Sequence, residues 1–397
     1  MKIVYLSQAV PPARENGGIG TYTSNLANQM SVLGQEVHII TKSAARYTRT
    51  ESGVHIHGID SATIVLDDQY REYPVVQKNI AYSRAIQTVI AGIMRQGDID
   101  IIDSSNWDTE GLVSQSMTEI PTVARLVSPL VEVIETMGWE WNDDLKLMCM
   151  LEKKYIESSS QVIYASDAIK KTVQDETGCE LGNAVKIPYG IPLIEMDKTA
   201  VHQKDGDSIS ILFVGRLERR KGIHVLLEVI PRILSKYSHV SFRLVGNDAI
   251  TDFDGKTYRQ KFEQSSKSLL NRVKFLGILS NDELNKEYQN CDIFVAPSTY
   301  ESFGLIYLEA WQYAKPVIGC DVGGIPEVIE KGVSGLLSEP ENPELFMEDL
   351  ERLIIDEELR ITIGRAGRQR LIHSFSINSF AEDSLALYHR ISNRKKK

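Results

Sequence analysis

The feature that most restricts the fold is a syntax that occurs twice. Residues 2–6, "KIVYL", form a short apolar run rich in β-formers. A Pro/Gly-rich loop, "PPARENGGIG", follows, then "TYTSNLANQMSVLG" and a second apolar run, "EVHIIT". Tyr22, Leu26, Met30 and Leu33 recur at helical spacing, and the run stops at Gly34, a residue type suited to a helix C-cap. From residue 209 the order returns as "ISILFVG", the charged loop "RLERRKG", the amphipathic "IHVLLEVIPRILSKY" and "VSFRLVG". Strand, loop, helix and strand, twice over, predict an α/β chain of two parallel-sheet domains with helices on both faces. Length agrees, because 397 residues exceed what one hydrophobic core usually serves.

Between the halves, "KIPYGIPLIEMDKTAVHQKDGDS" collects prolines, glycines and charges without periodicity, so residues 190–208 are the expected linker between domains at 1–190 and 191–376. Further strands are expected at 99–103, 121–126, 161–165, 185–187, 273–275, 292–296 and 316–319. Helices are expected at 81–95, 144–157, 168–176, 282–289, 304–314, 344–354, 358–372 and 377–391. Pro231 inside the helical pattern after residue 222 predicts a kink or a break there.

The formal charge of −10 argues against nucleic acid as a partner. Four separated cysteines without a CxxC pair suggest neither a zinc site nor a disulfide framework, and read as buried thiols of a cytoplasmic protein. No apolar stretch reaches 18 residues, so neither a transmembrane helix nor a signal peptide is expected. The basic tail "NRKKK" is an ordinary solvated terminus, or an aid to peripheral contact with the anionic inner face of a membrane.

In open parallel sheets, ligands bind beyond the carboxyl ends of the strands. Three stretches sit at such ends. "NGGIGTYTSN" follows the first strand, but Thr23 stands where a dinucleotide fingerprint needs its third glycine; Gly18 can still let backbone approach an anion, a tight turn being the plain alternative. In "GRLERRKG", Arg216 and Lys221 suit the two phosphates of a diphosphate, with Arg219 and Arg220 expected to face water. In "YESFGLIYLEA", Gly304, Leu305 and Ile306 are read as a first helical turn with free amides, Glu301 just before it and Glu309 about one and a half turns on. Glu309 can accept a ribose diol while Glu301 meets a sugar hydroxyl, a set that describes a nucleotide sugar. A solvent-facing helix residue is the plain alternative for Glu309.

The string "CDIFVAPSTYESFGLIYLEAWQYAKPVIGCDVGGIPEVIEKGVSGLL" resembles the donor half of retaining glycosyltransferases of the GT-B fold, particularly the large family four with its E-x(7)-E signature. "GRLERRKG", "FLG" at 275–277, "GGIPEVI" at 323–329 and "GGIG" match in order. The resemblance implies two Rossmann-like domains facing a cleft: an N-terminal acceptor domain, a C-terminal donor domain, and a helix at about 377–397 packing back on the former. It implies that Arg216 and Lys221 neutralise the donor diphosphate and Gly18 contacts it. Glu309 holds the ribose, Glu301 the sugar, backbone near Phe275 to Gly277 the base, the amides of Gly304 to Ile306 cap phosphate and sugar, and Phe303 adds to the donor site. The implied activity is metal-independent hexosyl transfer of class EC 2.4, without a cofactor, to a glycan, lipid-linked glycan or small-molecule acceptor, as in polysaccharide assembly. Oligomeric state is open.

One departure matters. Where relatives commonly read "RLHTP", this chain reads "RLVSP" at 125–129, so Val127 replaces the expected histidine. Asp103 occupies a strand end where many relatives carry a histidine, and is taken here as catalytic, with Ser104, Asn106, Glu110 and Ser128 as further substitutes. The alternative is a nucleotide-sugar-binding protein that has lost turnover. Acidic triplets at 98, 205 and 252 offer an Asp-x-Asp metal motif only weakly. His55 and His57 share a strand face at metal-compatible spacing without an evident third ligand, and half-buried strand histidines are the simpler reading. A hydrolase using Glu301 and Glu309 leaves Arg216 and Lys221 unexplained. Trp139 and Trp141 are read as stacking partners for a sugar or as packing residues.

Overall fold

A computed structural model describes residues 1–10, 17–195, 208–249 and 255–395. The chain divides into two compact units, Met1–Pro192 with Ile377–Lys397, and Leu193–Ser376. The expected linker and the acidic triplets at 205 and 252 lie wholly or largely outside the described residues. Asp100 of the triplet at 98 instead accepts the Lys2 amide at 2.8 Å.

Among the described residues, the first unit carries eight strands: β1 (Lys2–Leu6), β2 (Glu36–Ser43), β3 (Tyr47–Glu51), β4 (Val54–Asp60), β5 (Ile101–Ser105), β6 (Thr122–Leu126), β7 (Gln161–Tyr164) and β8 (Val185–Lys186). Their order is β3-β4-β2-β1-β5-β6-β7-β8, parallel except for the β3 edge. β1, β5 and β6 are buried at every position, as expected of strands covered on both faces. Val4, Leu6, Ile40, Tyr82, Ile86, Ile90 and Ile102 form one core layer. The polar "YTRTE" of β3 shows no apolar alternation, which is why the sequence pattern passes over it.

Among the described residues, the second unit has six strands, all parallel: β9 (Ile209–Val214), β10 (Val240–Val245), β11 (Val273–Gly277), β12 (Ile293–Val295), β13 (Val317–Cys320) and β14 (Leu336–Ser338), in the order β11-β10-β9-β12-β13-β14. Phe213, Leu226, Ile230, Phe242 and Leu350 lie in its core. Pro231 does not break its helix, which runs unbroken over Ile223–Lys236. Seven buried apolar residues anchor that helix, and the loss of one backbone hydrogen bond at proline is outweighed by their burial.

Other helices depart from expectation at their ends. The helix expected from residue 81 starts at Pro74, because Asp144 accepts the amides of Val75 and Val76 at 2.7 and 3.1 Å. The helix expected over 304–314 spans Leu305–Trp311, and Ala314 takes φ +52. The helix Ile377–Lys395 is tied to the first unit by a buried cluster. Arg125 donates through Nε to both oxygens of Asp103 at 3.0 and 2.9 Å, and through Nη2 to Ser384 and Tyr388 at 3.0 Å each. Tyr388 in turn donates to Asp103 Oδ2 at 2.5 Å. Among the described residues, no helix is long and apolar enough to cross a membrane.

Candidate active site

In the second unit the loops after β9 and β12 meet. Leu217 is buried and anchors the first of them. Glu218, 1% exposed, is the acid among four bases there: Arg216 reaches it at 2.9 Å and Arg220 at 3.4 Å. Arg220 is therefore not the water-facing residue that the sequence suggested. Its side chain is largely buried because Glu218 holds it, while Arg219 is exposed and pairs with Glu341 at 2.6 Å. The Thr299 amide donates to the Arg220 carbonyl at 3.0 Å, stitching the two loops together.

Lys221 Nζ bonds Glu301 Oε2, with both side chains mostly buried. Burial alone would raise Glu301, but the Lys221 ammonium and the Arg220 guanidinium outweigh it and hold its carboxyl below the usual range. Lys221 is pushed down by burial and partly restored by Glu301. The result is a desolvated ion pair with half-exposed Arg216 close enough to Glu301 to feel its charge. The "GGIPEVI" segment supports this pair from behind: the Gly324 amide donates to the Glu301 carbonyl at 2.8 Å. Gly323 has φ +57, and a Cβ on it would lie 2.2 Å from that same carbonyl, so glycine is required.

Phe303 corrects an expectation. Its ring is 2% exposed and packs edge-on against Phe375 at 5.7 Å, so the side chain is core and only its backbone remains for a ligand. Gly304 is not part of the first helical turn either. At φ +102 it precedes the helix, in a conformation that lets the chain turn onto Leu305, which is buried, and Ile306, half-buried. Glu309 is half-buried and accepts from Tyr288 Oη at 2.7 Å, and burial pushes its carboxyl up to about 7. Gly277 ends β11 at φ +65, its carbonyl accepting the Gly246 amide at 2.9 Å. Tyr288, Glu218 and the inward face of Arg220 were not expected from sequence. Glu218 alone left a readable signal, an acid within a basic run.

In the first unit, Gly18 is exposed at the start of the helix Gly17–Val32. Asp103 corrects a second expectation. At 2% exposure it is enclosed by Arg125 and Tyr388, so it serves the packing of the C-terminal helix and is not presented to a substrate. Val127 is buried and its main chain is clamped by Asn106, which donates to the Val127 carbonyl at 3.3 Å and accepts its amide at 2.7 Å. Asn106 also donates to Glu152 Oε1 at 2.6 Å, and Glu152 accepts the Leu130 amide at 3.0 Å. Burial raises Glu152 to about 7 and, with Asp108 adding to it, Glu110 to about 8. Ser104 is buried against Tyr155 Oη at 2.8 Å, and Ser128 is half-buried.

His55 and His57 do find a third ring. His38 Nδ1 lies 2.9 Å from His57 Nε2, and its ring stacks at 4.9 and 5.2 Å on the other two. Even so, among the described residues no group of three or more His, Cys, Asp or Glu is placed to hold a metal ion. Cys149 is half-buried and the other three cysteines are buried, all as free thiols. Trp139 and Trp141 are 46% and 44% exposed, joining the helices Leu130–Met137 and Asp143–Ser158.

Comparison with known proteins assigns both halves. Residues 196–370 match the family "Glycosyl transferases group 1" and residues 16–194 match "Glycosyltransferase Family 4". A D-inositol 3-phosphate glycosyltransferase of Corynebacterium jeikeium is 32% identical, over 96% of this chain and 93% of the relative. Among solved structures, the sucrose-phosphate synthase of Thermosynechococcus elongatus superposes with a TM-score of 0.80 at 21% identity, over 98% of each chain. Anabaena HepE, solved with UDP and glucose, gives 0.73 at 20% identity, over 98% of this chain and 99% of its own. These likenesses agree with two Rossmann-like parallel-sheet domains of the GT-B type. The chain belongs to the family-four glycosyltransferases, enzymes of class EC 2.4.

Proposed function

We propose that this glycosyltransferase moves a sugar from a nucleoside diphosphate donor to an acceptor hydroxyl with retention of configuration and without a metal ion or cofactor. The observation that carries the reading is the buried Lys221–Glu301 pair at the carboxyl ends of β9 and β12. Lys221 with Arg216 provides fixed positive charge for the departing diphosphate, which is the largest need of such a reaction. Glu301 is kept ionised to accept a sugar hydroxyl, and Glu309, held by Tyr288, is placed to accept the ribose diol in its ionised form. Gly18, Gly277, Gly304, Leu305 and Ile306 contribute backbone contacts to the donor.

In the reaction, the bond from the anomeric carbon to the diphosphate oxygen breaks and a bond to the acceptor oxygen forms on the same face. The acceptor proton passes to the leaving diphosphate. The name of the Corynebacterium relative and the UDP and glucose held by HepE support a nucleotide sugar as donor and a sugar-like acceptor. A glycan, a lipid-linked glycan or a small polyol fits that class, and residues 393–397 add basic charge suited to an anionic membrane surface.

Calorimetric titration with UDP-, GDP- and ADP-sugars in EDTA, followed by donor cleavage in the presence of acceptors, tests the reading. Tight binding of one donor with cleavage supports it. Binding without cleavage favours the reading as a nucleotide-sugar-binding protein, which Val127 in the histidine's place motivates, and binding that requires a divalent metal overturns the metal-free mechanism.

A further inference from the structure

We infer that Glu218 is a positioning residue for the transfer step: its buried carboxylate sets the direction of the Arg216 guanidinium for the donor diphosphate, although its charge opposes the binding of that anion. The inference rests on the glycosyl-transfer reading above and gives a task to an acid that the reading leaves unused.

An acid is out of place at this point. Glu218 lies in the loop after β9, two residues from Arg216 and three from Lys221, and a fixed negative charge repels the diphosphate assigned to those two cations. Its side chain is buried, and neither carboxylate oxygen has a hydrogen-bond partner among the described residues. What it has are ion pairs: Arg216 Nη2 lies 2.9 Å from Oε1, and Arg220 Nε lies 3.4 Å from the same oxygen. A carboxylate buried in this way adds little to stability, because desolvation consumes most of the attraction.

Two structural tasks for Glu218 are already accounted for. It stands at the N-cap of the short turn Arg219–Lys221, where an acid commonly caps, yet its side chain makes no capping bond. The course of the loop is held by main chain instead. The Leu217 amide donates to the Asn247 carbonyl at 2.9 Å and the Lys221 amide to the Glu218 carbonyl at 3.1 Å. Gly222, at φ +70, approaches Pro297 so closely that a Cβ would lie 1.7 Å from its carbonyl oxygen.

What remains is the effect on Arg216. Burial works against the Arg216 cation, and of the two acids that counter it, Glu218 acts more strongly than Glu301. The guanidinium sits half-exposed on a long, rotamer-rich stem, which leaves its direction undefined without an anchor. Glu218 supplies that anchor at Nη2, and largely buried Arg220 fixes Glu218 in turn. Because the contact lacks hydrogen-bond geometry, it orients the guanidinium and leaves its N–H groups for phosphate oxygens. A cation already aimed at the leaving group needs no reorganisation when the bond breaks, so the benefit falls on turnover and not on affinity.

The test compares the full chain as wild type and Glu218→Gln in two measurements. One is calorimetric affinity for free UDP, GDP and ADP. The other is steady-state release of nucleoside diphosphate from the corresponding glucose donors, with glucose and myo-inositol supplied as acceptors. Glu218→Gln should bind the nucleotide chosen by the wild type as tightly or more tightly, since one opposing charge is gone, whereas kcat should fall by about tenfold or more. Glu218→Asp keeps the charge and should recover part of that loss. In an Arg216→Ala background, Glu218→Gln should lower kcat by no more than about twofold, because the residue it acts through is missing. An unchanged kcat in Glu218→Gln overturns the inference, as does a loss of the same size in the Arg216→Ala background. Loss of nucleotide binding in both Glu218 variants overturns it too, by making the residue an anchor of the loop. A wild type that binds a nucleotide but releases none from its sugar fails the glycosyl-transfer reading itself, and the inference falls with it; that failure is told apart because it precedes any substitution.

Discussion

Tyr288 donates its hydroxyl to Glu309 Oε2 at 2.7 Å, tying the helix that precedes β12 to the one that follows it. Tyr288 is itself buried at 1% exposure, so the bond is made where burial has already raised Glu309 to about 7. Tyr288→Phe removes a donor that favours the carboxylate, worth roughly 1.5–3 kcal/mol for a charged acceptor. Nucleotide-sugar binding at neutral pH should weaken about tenfold or more. Because the ribose diol donates to the ionised form, wild-type affinity should rise as pH climbs through about 7, and the rise in the variant should lie at higher pH. Calorimetry across this range checks both; an unchanged profile would remove Glu309 from the donor site.

Lys221→Ala leaves Glu301 buried without the ammonium that holds it ionised. Donor affinity should fall by about a hundredfold, the scale of one strong charge-assisted contact. Glu301→Gln should instead weaken the intact nucleotide sugar while leaving the free nucleoside diphosphate nearly unaffected, since Glu301 is assigned to the sugar. Calorimetry with donor and with nucleotide alone distinguishes the two, and equal losses for both ligands in Glu301→Gln would contradict the assignment.

Tyr388→Phe and Ser384→Ala each remove a partner of buried Arg125. Each should destabilise the first unit by about 1–3 kcal/mol and lower Tm by several degrees, measured by scanning calorimetry. Tyr388→Phe should cost more, because it also strips Asp103 of a donor. If neither change moves Tm, the cluster is not what secures the C-terminal helix.

Glu110, Glu152 and Glu309 all titrate above the ordinary carboxylate range, at about 8, 7 and 7. The folded chain keeps these protons where the unfolded chain has released them. Their contribution to stability is therefore complete below about pH 4.5 and is lost as pH rises through about 7 to 8. Glu110→Gln keeps a neutral side chain throughout, so its Tm relative to wild type should increase between about pH 5 and pH 8.5. A constant difference over that range would show that Glu110 is ionised in the folded chain.

Much of this molecule is determined by local sequence. Apolar runs at strand period, amphipathic stretches at helix period and turn residues between them specify two βαβ domains, because those periodicities decide which faces can be buried. The family signature likewise marks Lys221, Glu301 and Glu309. Tertiary structure alone decided what each side chain meets. Asp103 stands at a strand end like a catalytic residue, yet Arg125 and Tyr388, the latter 285 residues away, enclose it. Phe303 lies inside the signature but fills core against Phe375. Tyr288 acquires its role only when separate segments converge. The physical reason is that hydrogen bonds and ion pairs act over a few ångströms in space, whereas hydrophobic periodicity is written along the chain itself.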